Sequence, residues 1–334
     1  MLAYELALRG GTALFRASSQ VTRDEWRDYV FSLQLDQHFP GVQGVGFSLR
    51  IPSADRAEHI RQIQAEGFPD YRVKPAGERE EYTSIIYLEP FDERNRQALG
   101  YDMFSQPTRR EAMERARDTG AAAMSGKVEL VQEISEDKQA GFLLYLPVYA
   151  APGIPAALDA RRETLLGYVF SPFRANDLMH GILPKGGSRV SFNIYDGKQA
   201  AKNALLYDGD AELKLDTAGR EPTFISTTSI DIAGRSWTIT YHSTPSFEAG
   251  FVFTLAHSTI FGGLFLSVLL FVISWMLVTT RQRALSLRKE VILRKEADEE
   301  IHQLNTHLEH RVQQRTAELQ RQEHLNHVLL ESLN

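Results

Sequence analysis

The sequence predicts an α+β fold of two small antiparallel sheets with flanking helices, followed by one membrane helix and one charged coiled-coil helix. Three observations carry this. Short alternating apolar segments recur between Val42 and His242 with helical patterns among them. A run without formal charge extends from Ala249 to Thr280, bounded by Glu248 and Arg281. Beyond it no Gly or Pro interrupts residues 281–334.

Taken in order, Met1–Ala17 repeats Leu2, Leu6, Leu14 and Phe15 near helical spacing. Ser18, Ser19 and Thr22 interrupt it. Thr22 with Glu25 forms a T-x-x-E capping box, which predicts a second helix from Thr22 to about His38, ended by Pro40-Gly41. Val42–Ile51 alternates and is read as a strand. Ser53–Glu66 is read as a helix capped by Ser53. Ser84–Leu88 is a strand before Pro90. Thr108–Gly120 is a helix with Thr108 as cap and Gly120 as stop. Phe142–Tyr149 (FLLYLPVY) is a strong strand. Leu165–Phe170, Arg189–Tyr195, Leu205–Tyr207, Thr223–Ile232 and Ser236–His242 complete the β content. Asp231–Ser236 is read as a hairpin turn, and Gly186-Gly187 as another turn. The Pro- and Ala-rich loop Ala150–Arg161 is the expected domain boundary.

Ile260–Val278 reads IFGGLFLSVLLFVISWMLV. About 20 apolar residues in a helix span a bilayer's hydrocarbon layer and satisfy their own backbone amides. Arg281, Arg283, Arg288 and Lys289 follow at once, which predicts a cytoplasmic C-terminal part and residues 1–248 outside the cytoplasm. An exported first part calls for an N-terminal membrane segment, and Met1–Leu8 is too short and acidic to serve. A membrane segment is therefore expected before residue 1 and an output domain after residue 334. Ile301, Leu304, Leu308, Val312, Leu319 and Leu329 form an interrupted seven-residue apolar stripe, which predicts a coiled coil with a second copy. Thr259, Gly263, Ser267 and Ser274 mark a small-residue face suited to close helix approach, or a lipid-facing coincidence.

Composition bounds the function. Hydrophobic residues make up 43% of 334, enough for real cores, and there is no cysteine for a disulfide or thiolate metal site. The net charge of −6 gives no reason to expect nucleic acid. No H-E-x-x-H, P-loop or G-x-S-x-G occurs, so no catalytic, metal or cofactor residue is named. His302, His307, His310, His324 and His327 lie on the charged helix and read as a solvated face.

Several segments together resemble the CHASE domain, a sensor module of receptors. They are Val21-Thr-x-x-Glu25-Trp-x-x-Tyr29-Val30, Pro40–Gly44 with Phe47 and Arg50, Gly100–Ser105, Arg109-Arg110, Ala116–Gly120, Gly141–Tyr149 and Gly167-Tyr-Val169, in the family's order over about Val21–Leu183. Arg311–Leu319 looks like a signalling helix, and Leu329–Leu333 like the entry to a PAS domain. The resemblance implies a long N-terminal stalk helix over 1–38 and two tandem PAS-like subdomains. The distal one, 39–152, would hold the ligand; the proximal one would be 153–248. Residues 249–280 would be the membrane helix and 281–334 the signalling coiled coil, within a homodimer of a bacterial inner-membrane receptor. In plant members the ligand is cytokinin, an adenine derivative, and the family's ligand positions match Asp102 and Met124 here. The segment around Met124 departs from the plant pattern, and Glu133 falls where plant members carry a neutral polar residue. A small planar or polar metabolite with a hydrogen-bond donor is what carries over.

Asp102, among Tyr101, Met103 and Phe104, can accept from a ligand N–H in an apolar pocket, or can bond backbone or Arg109/Arg110 instead. Tyr87 and Tyr145 can stack on a ring or simply pack the core. Met124 and Phe104 are candidates beside them, and Glu133 completes the set. The expected function is a ligand-gated sensor feeding a histidine kinase, with a cyclic-di-GMP enzyme as runner-up output. A module that binds a periplasmic protein partner is the alternative, and an ectoenzyme the third reading.

Overall fold

Thr22 is the N-cap of a helix that starts at Arg23. Its hydroxyl accepts from the Glu25 amide and the Glu25 carboxylate accepts from the Thr22 amide, so the capping box is complete. The computed structural model describes residues 1–133, 138–183, 190–212 and 221–331, and of 212, 251–254 and 323–331 the backbone only. Residues 1–38 form three helices, α1 (Leu2–Ala17), α2 (Arg23–Ser32) and α3 (Leu35–His38), instead of one long stalk. Gln34, with φ of +50°, separates the last two. The stalk breaks up because α1 and α2 turn their apolar residues inward: Leu8, Trp26 and Val30 are all buried.

The chain continues through β1 (Val45–Pro52), a 3₁₀ turn at Ser53–Asp55, α4 (Arg56–Ala65), β2 (Glu81–Glu89) and α5 (Glu93–Ala98). A second 3₁₀ turn at Met103–Ser105 precedes α6 (Pro107–Thr119), β3 (Ala123–Met124) and β4 (Gly141–Tyr149). After α7 (Leu158–Glu163) comes β5 (Leu165–Arg174) and then α8 (Ala175–Ile182). The order ends with β6 (Val190–Asp196), β7 (Leu205–Asp208), α9 (Gly209–Glu212), β8 (Ile225–Ile232), β9 (Arg235–Ser243) and α10 (Pro245–Glu331). The expected Gly186-Gly187 turn and the side chains of His324, His327 and Leu329 lie outside the described residues.

Two expected caps are replaced. Ser53 heads the 3₁₀ turn and no side chain caps α4. At α6 the cap is Gln106, accepting from the Arg109 amide, because Pro107 fits the first helical position where no N–H is needed. Gly120 stops α6 in the left-handed conformation, φ +71°, as expected.

The strands form two antiparallel sheets, of order β2-β1-β5-β4-β3 and β7-β6-β9-β8. β5 therefore belongs to the first sheet, between β1 and β4. The boundary expected after residue 152 falls between two hydrogen-bonded neighbours of one sheet, and the first sheet ends only at Arg174. The reason is register: Gly141 to Val148 pairs residue for residue with Arg174 to Gly167, and after a shift Tyr149 pairs with Leu165, closing a pair around the long loop.

The two faces of the first sheet have different partners. One face meets α1, α2, α8 and the second sheet through Phe47, Leu146, Val169, Phe173, Ile194 and Trp237. Phe142 and Trp237 touch edge to face at 5.0 Å across the two sheets. The other face is covered by α6, which buries Arg109, Ala112, Met113 and Ala116 at helical spacing. That α6 face carries Ile85, Leu143, Tyr145, Tyr168 and Phe170.

Residues 1–250 form one compact unit and 251–334 a second. The second is helical, and its apolar stretch has a mean hydropathy of 2.4 with none of that window buried. It is long and apolar enough to cross a membrane.

Candidate functional site beneath α6

Strand alternation sets the site. Ser48 on β1 stands opposite Ile85 on β2 and Tyr168 on β5, so all three side chains face α6. Tyr145 on β4 stands opposite Phe170, with its ring centroid 6.2 Å from that of Tyr168. The segment Gly100–Asp102 runs beside β2: the Ile85 amide donates to the Tyr101 carbonyl at 3.0 Å, and the Asp102 amide donates to the Lys74 carbonyl at 2.6 Å.

Asp102 is fully buried. Its Oδ1 accepts from the Thr83 amide at 2.8 Å, the Phe104 amide at 3.1 Å and the Thr83 hydroxyl at 3.3 Å. Its Oδ2 makes no hydrogen bond, with the Arg79 Nη1 3.4 Å away. The expected alternatives are thus both present in part: one oxygen is spent on backbone, and the other makes no hydrogen bond but faces a cation. The nearby cation is Arg79, from the loop before β2, instead of Arg109 or Arg110. Arg110 donates to the Phe104 carbonyl at 2.7 Å. Arg109, 3% exposed, holds its guanidinium 4.8 Å over the Tyr101 ring and donates from Nη2 to the Glu129 carbonyl, leaving Nε unpartnered.

Five polar atoms on this side of the sheet are buried without a hydrogen-bond partner: Ser48 Oγ, Asp102 Oδ2, Arg109 Nε, Tyr145 OH and Tyr168 OH. Burial pushes the Tyr145 and Tyr168 hydroxyls far above the ordinary tyrosine range, so both stay protonated donors. Buried polar groups are normally paired, and a cluster of unpaired ones calls for water or a ligand.

The six expected site residues divide. Asp102, Phe104 and Tyr145 lie on the α6 face. Tyr87 lies on the opposite face, its ring stacked on Trp26 at 6.1 Å and its hydroxyl donating to the Val21 carbonyl at 2.8 Å. The β2 bulge opposite Phe47/Ser48 resets the alternation at this point. Met124 also points away from α6, into the cluster shared with the second sheet. Its backbone is occupied too: its amide donates to Ala233 and its carbonyl accepts from Arg115. Glu133 pairs with Arg174 at 2.8 Å, at the C-terminal end of β5. Met124, Tyr87 and Glu133 are therefore not brought together with Asp102 under α6. Ser48, Tyr168, Thr83 and Arg79 were missed. The available signal was a Ser at an inward position of an otherwise apolar strand. Among the described residues no group of three His, Asp or Glu is arranged to hold a metal ion.

A family model for the CHASE domain matches residues 19–207. The chain belongs to the CHASE domain family. CHASE domains are extracytoplasmic sensors of receptors, and here one helix able to cross a membrane follows the domain. The chain is 24% identical over 317 residues to hybrid signal transduction histidine kinase A of Dictyostelium discoideum, covering 84% of this chain and 14% of that protein. It is 25% identical over 195 residues to probable histidine kinase 6 of Oryza sativa subsp. japonica, covering 57% of this chain and 19% of the relative. The CHASE chain thus spans under a fifth of the length of either kinase. Among solved structures, the periplasmic sensory domain of the Campylobacter jejuni chemoreceptor Tlp1 matches 74% of this chain and 88% of its own, at 11% identity and a TM-score of 0.43. The ligand-binding domain of Pseudomonas aeruginosa PAO1 amino acid chemoreceptor PctB, in complex with L-Arg, matches 77% and 85%, at 8% identity and a TM-score of 0.40.

Proposed function

We propose that this CHASE chain is the sensing part of a dimeric bacterial inner-membrane receptor, and that the α6 face binds a small polar molecule. The observation that carries the reading is the set of five buried polar atoms without a hydrogen bond on one sheet face, of which Asp102 Oδ2 also lies 3.4 Å from Arg79. Asp102 Oδ2 offers an acceptor, Arg109 Nε a donor, and the three hydroxyls either role. A ligand that presents both an N–H donor and an acceptor, such as a purine or an amino acid, satisfies this set. Binding would shift the population of two receptor states through unequal affinity for them. Residues 1–248 lie outside the cytoplasm and 281–334 inside, on the strength of the cations from Arg281 to Lys289. The output is a histidine kinase, which the two kinase relatives support.

One observation favours a second reading, in which a protein partner binds. Phe31 is 84% exposed and lines a groove of about 440 Å³ with Val30, Leu35 and Pro90.

A thermal-shift screen of residues 1–248 against purines, cytokinins, amino acids and organic acids tests the first reading. A true ligand raises the melting temperature as its concentration exceeds Kd. Tyr145→Phe removes a hydroxyl without a protein partner, so the free protein keeps or slightly gains stability while the ligand's shift shrinks. Asp102→Asn keeps one acceptor oxygen and should likewise reduce the shift. A ligand whose shift survives both changes binds elsewhere, and an empty screen transfers the weight to the protein partner.

A further inference from the structure

β3 is two residues long yet touches both sheets. Ala123 and Met124 pair with Tyr145 and Leu144 of the first sheet, and Ala123 packs in the α6-face cluster. From the same segment, the Met124 amide donates 2.9 Å to the Ala233 carbonyl in the β8–β9 turn, and the Lys127 amide donates 2.8 Å to Asp196 Oδ2 at the end of β6. α6 reaches the same place. Arg115 donates to the Met124 carbonyl at 2.7 Å, and its Nε lies 2.9 Å from where a Cβ on Gly234 would stand. Arg235 grips Asp196 with two bonds of 2.7 and 2.8 Å and lies 3.5 Å from Glu111 of α6. At Gly126 the strands of this clasp cross: a Cβ there would lie 2.7 Å from Arg235 Nη2 and 2.8 Å from Asp196 Oδ2.

Elsewhere the two sheets meet mainly through apolar side chains, which resist separation better than sliding. Directed, charge-assisted bonds fix relative position. The turn they hold begins β9, and β9 ends at Ser243, with Thr244 alone between it and Pro245, where α10 begins.

We propose that Arg115, Asp196 and Arg235 are positioning residues that couple α6, the lid of the ligand face, to β9 and so to the start of the membrane helix. A ligand seated under α6 displaces or orders that helix. Arg115 and β3 pass the change to the Ala233–Gly234 turn, and β9 delivers it to α10. Met124, one of the two positions that the family resemblance matches to ligand contact, has its backbone amide and carbonyl in this coupling. The proposal rests on the α6 face being the sensing site, but its test uses no ligand, so a failed ligand screen and a failed coupling are distinguishable.

The probe is Met113→Ala, which opens a hole under α6 at a residue with no exposure. Amide hydrogen exchange is followed on the full chain in detergent micelles. In the otherwise native chain, Met113→Ala is expected to lower protection of the β9 amides about tenfold, along with those of α6 and β4. With Asp196→Asn or Arg115→Met added, the β9 response should shrink to less than about twofold while α6 and β4 still respond. A clasp that is merely structural would lower β9 protection equally with and without Met113→Ala. The proposal is overturned if β9 ignores Met113→Ala in the native chain, or if its full response persists in both backgrounds. Arg115→Met leaves the Asp196–Arg235 pair intact and decides the matter where Asp196→Asn does not fold.

Discussion

At the scale of the residue, His59 gives the clearest pH signature. It is 7% exposed on α4, and its Nε2 lies 2.8 Å from the Tyr71 hydroxyl, which also meets Ser84 Oγ at 2.7 Å. Burial first, and then the Arg23 charge, lower its pKa to about 4 from 6.5. Between those values the unfolded chain binds a proton that the folded chain refuses. Stability is therefore full above about pH 6.5, falls as pH drops toward 4, and loses nothing more from this group below that. Glu89, raised above 4.5 by burial, acts with the opposite sign from pH 4.5 upward, where it opposes the His59 slope. His59→Leu leaves Tyr71 its Ser84 partner and should flatten the melting-temperature slope between pH 7 and 5. An unchanged slope in that variant would assign the pH dependence elsewhere. Residues of this kind mark the limit of a sequence reading. Asp102 was legible as a candidate because the family resemblance marks it and a carboxylate among Tyr101, Met103 and Phe104 stands out. Ser48 and Tyr168 were not, because their significance comes from lying opposite one another on paired strands far apart in the chain.

At the scale of the element, local chemistry was read well where one residue decides and poorly where two compete. The Thr22 capping box and the Gly120 stop needed no tertiary information. Thr108 lost the cap to Gln106 because Pro107 supplies a ready first helical turn. Tyr87 and Tyr145 both read as candidates to stack on a ring or to pack the core, but the β2 bulge sends Tyr87 to the α1–α2 side. The β8–β9 hairpin was expected from Asp231–Ser236, and its two central residues, Ala233 and Gly234, have φ of +47° and +73°. That is the left-handed pair a type I′ turn requires. Gly234 tolerates it, whereas Ala233 pays a steric cost that Asn bears more easily. Ala233→Asn should stabilise the domain by about 0.5 kcal/mol, raising the melting temperature by about 1–2 °C. The carbonyl that receives the Met124 amide is backbone and survives the change. A fall in melting temperature would mean that this turn is not the relaxed type I′ form.

At the scale of the whole molecule, the segments legible without pairing information were the ones that do not fold back. The apolar stretch Ile260–Val278 and the charged helix after it follow from composition and period alone. The boundary after residue 152 failed because β4 and β5 pair across the long loop between them, which no local pattern announces. On the helical unit Ile301, Leu304, Leu308, Val312 and Leu319 are 54–60% exposed, an apolar stripe among nearly balanced charges. Such a stripe gains about 1.5–3 kcal/mol for each Leu fully buried against a partner, and a second copy presents the matching stripe. In the apolar stretch, Thr259 and Ser267 already give their hydroxyls to the carbonyls of Leu255 and Gly263, so that face can meet lipid or another helix without an unpaired donor. Self-association is therefore expected to depend more on the charged helix than on the small-residue face. Sedimentation of the full chain in matched-density detergent should report a dimer. Leu304→Asp with Leu308→Asp should weaken it by a hundredfold or so, because two buried carboxylates would face their copies, whereas Gly263→Leu with Ser267→Leu should weaken it by about tenfold at most. A native chain that sediments as a monomer, or a dimer indifferent to Leu304→Asp and Leu308→Asp, would remove the coiled coil from the signalling path and leave the membrane helix to carry it alone.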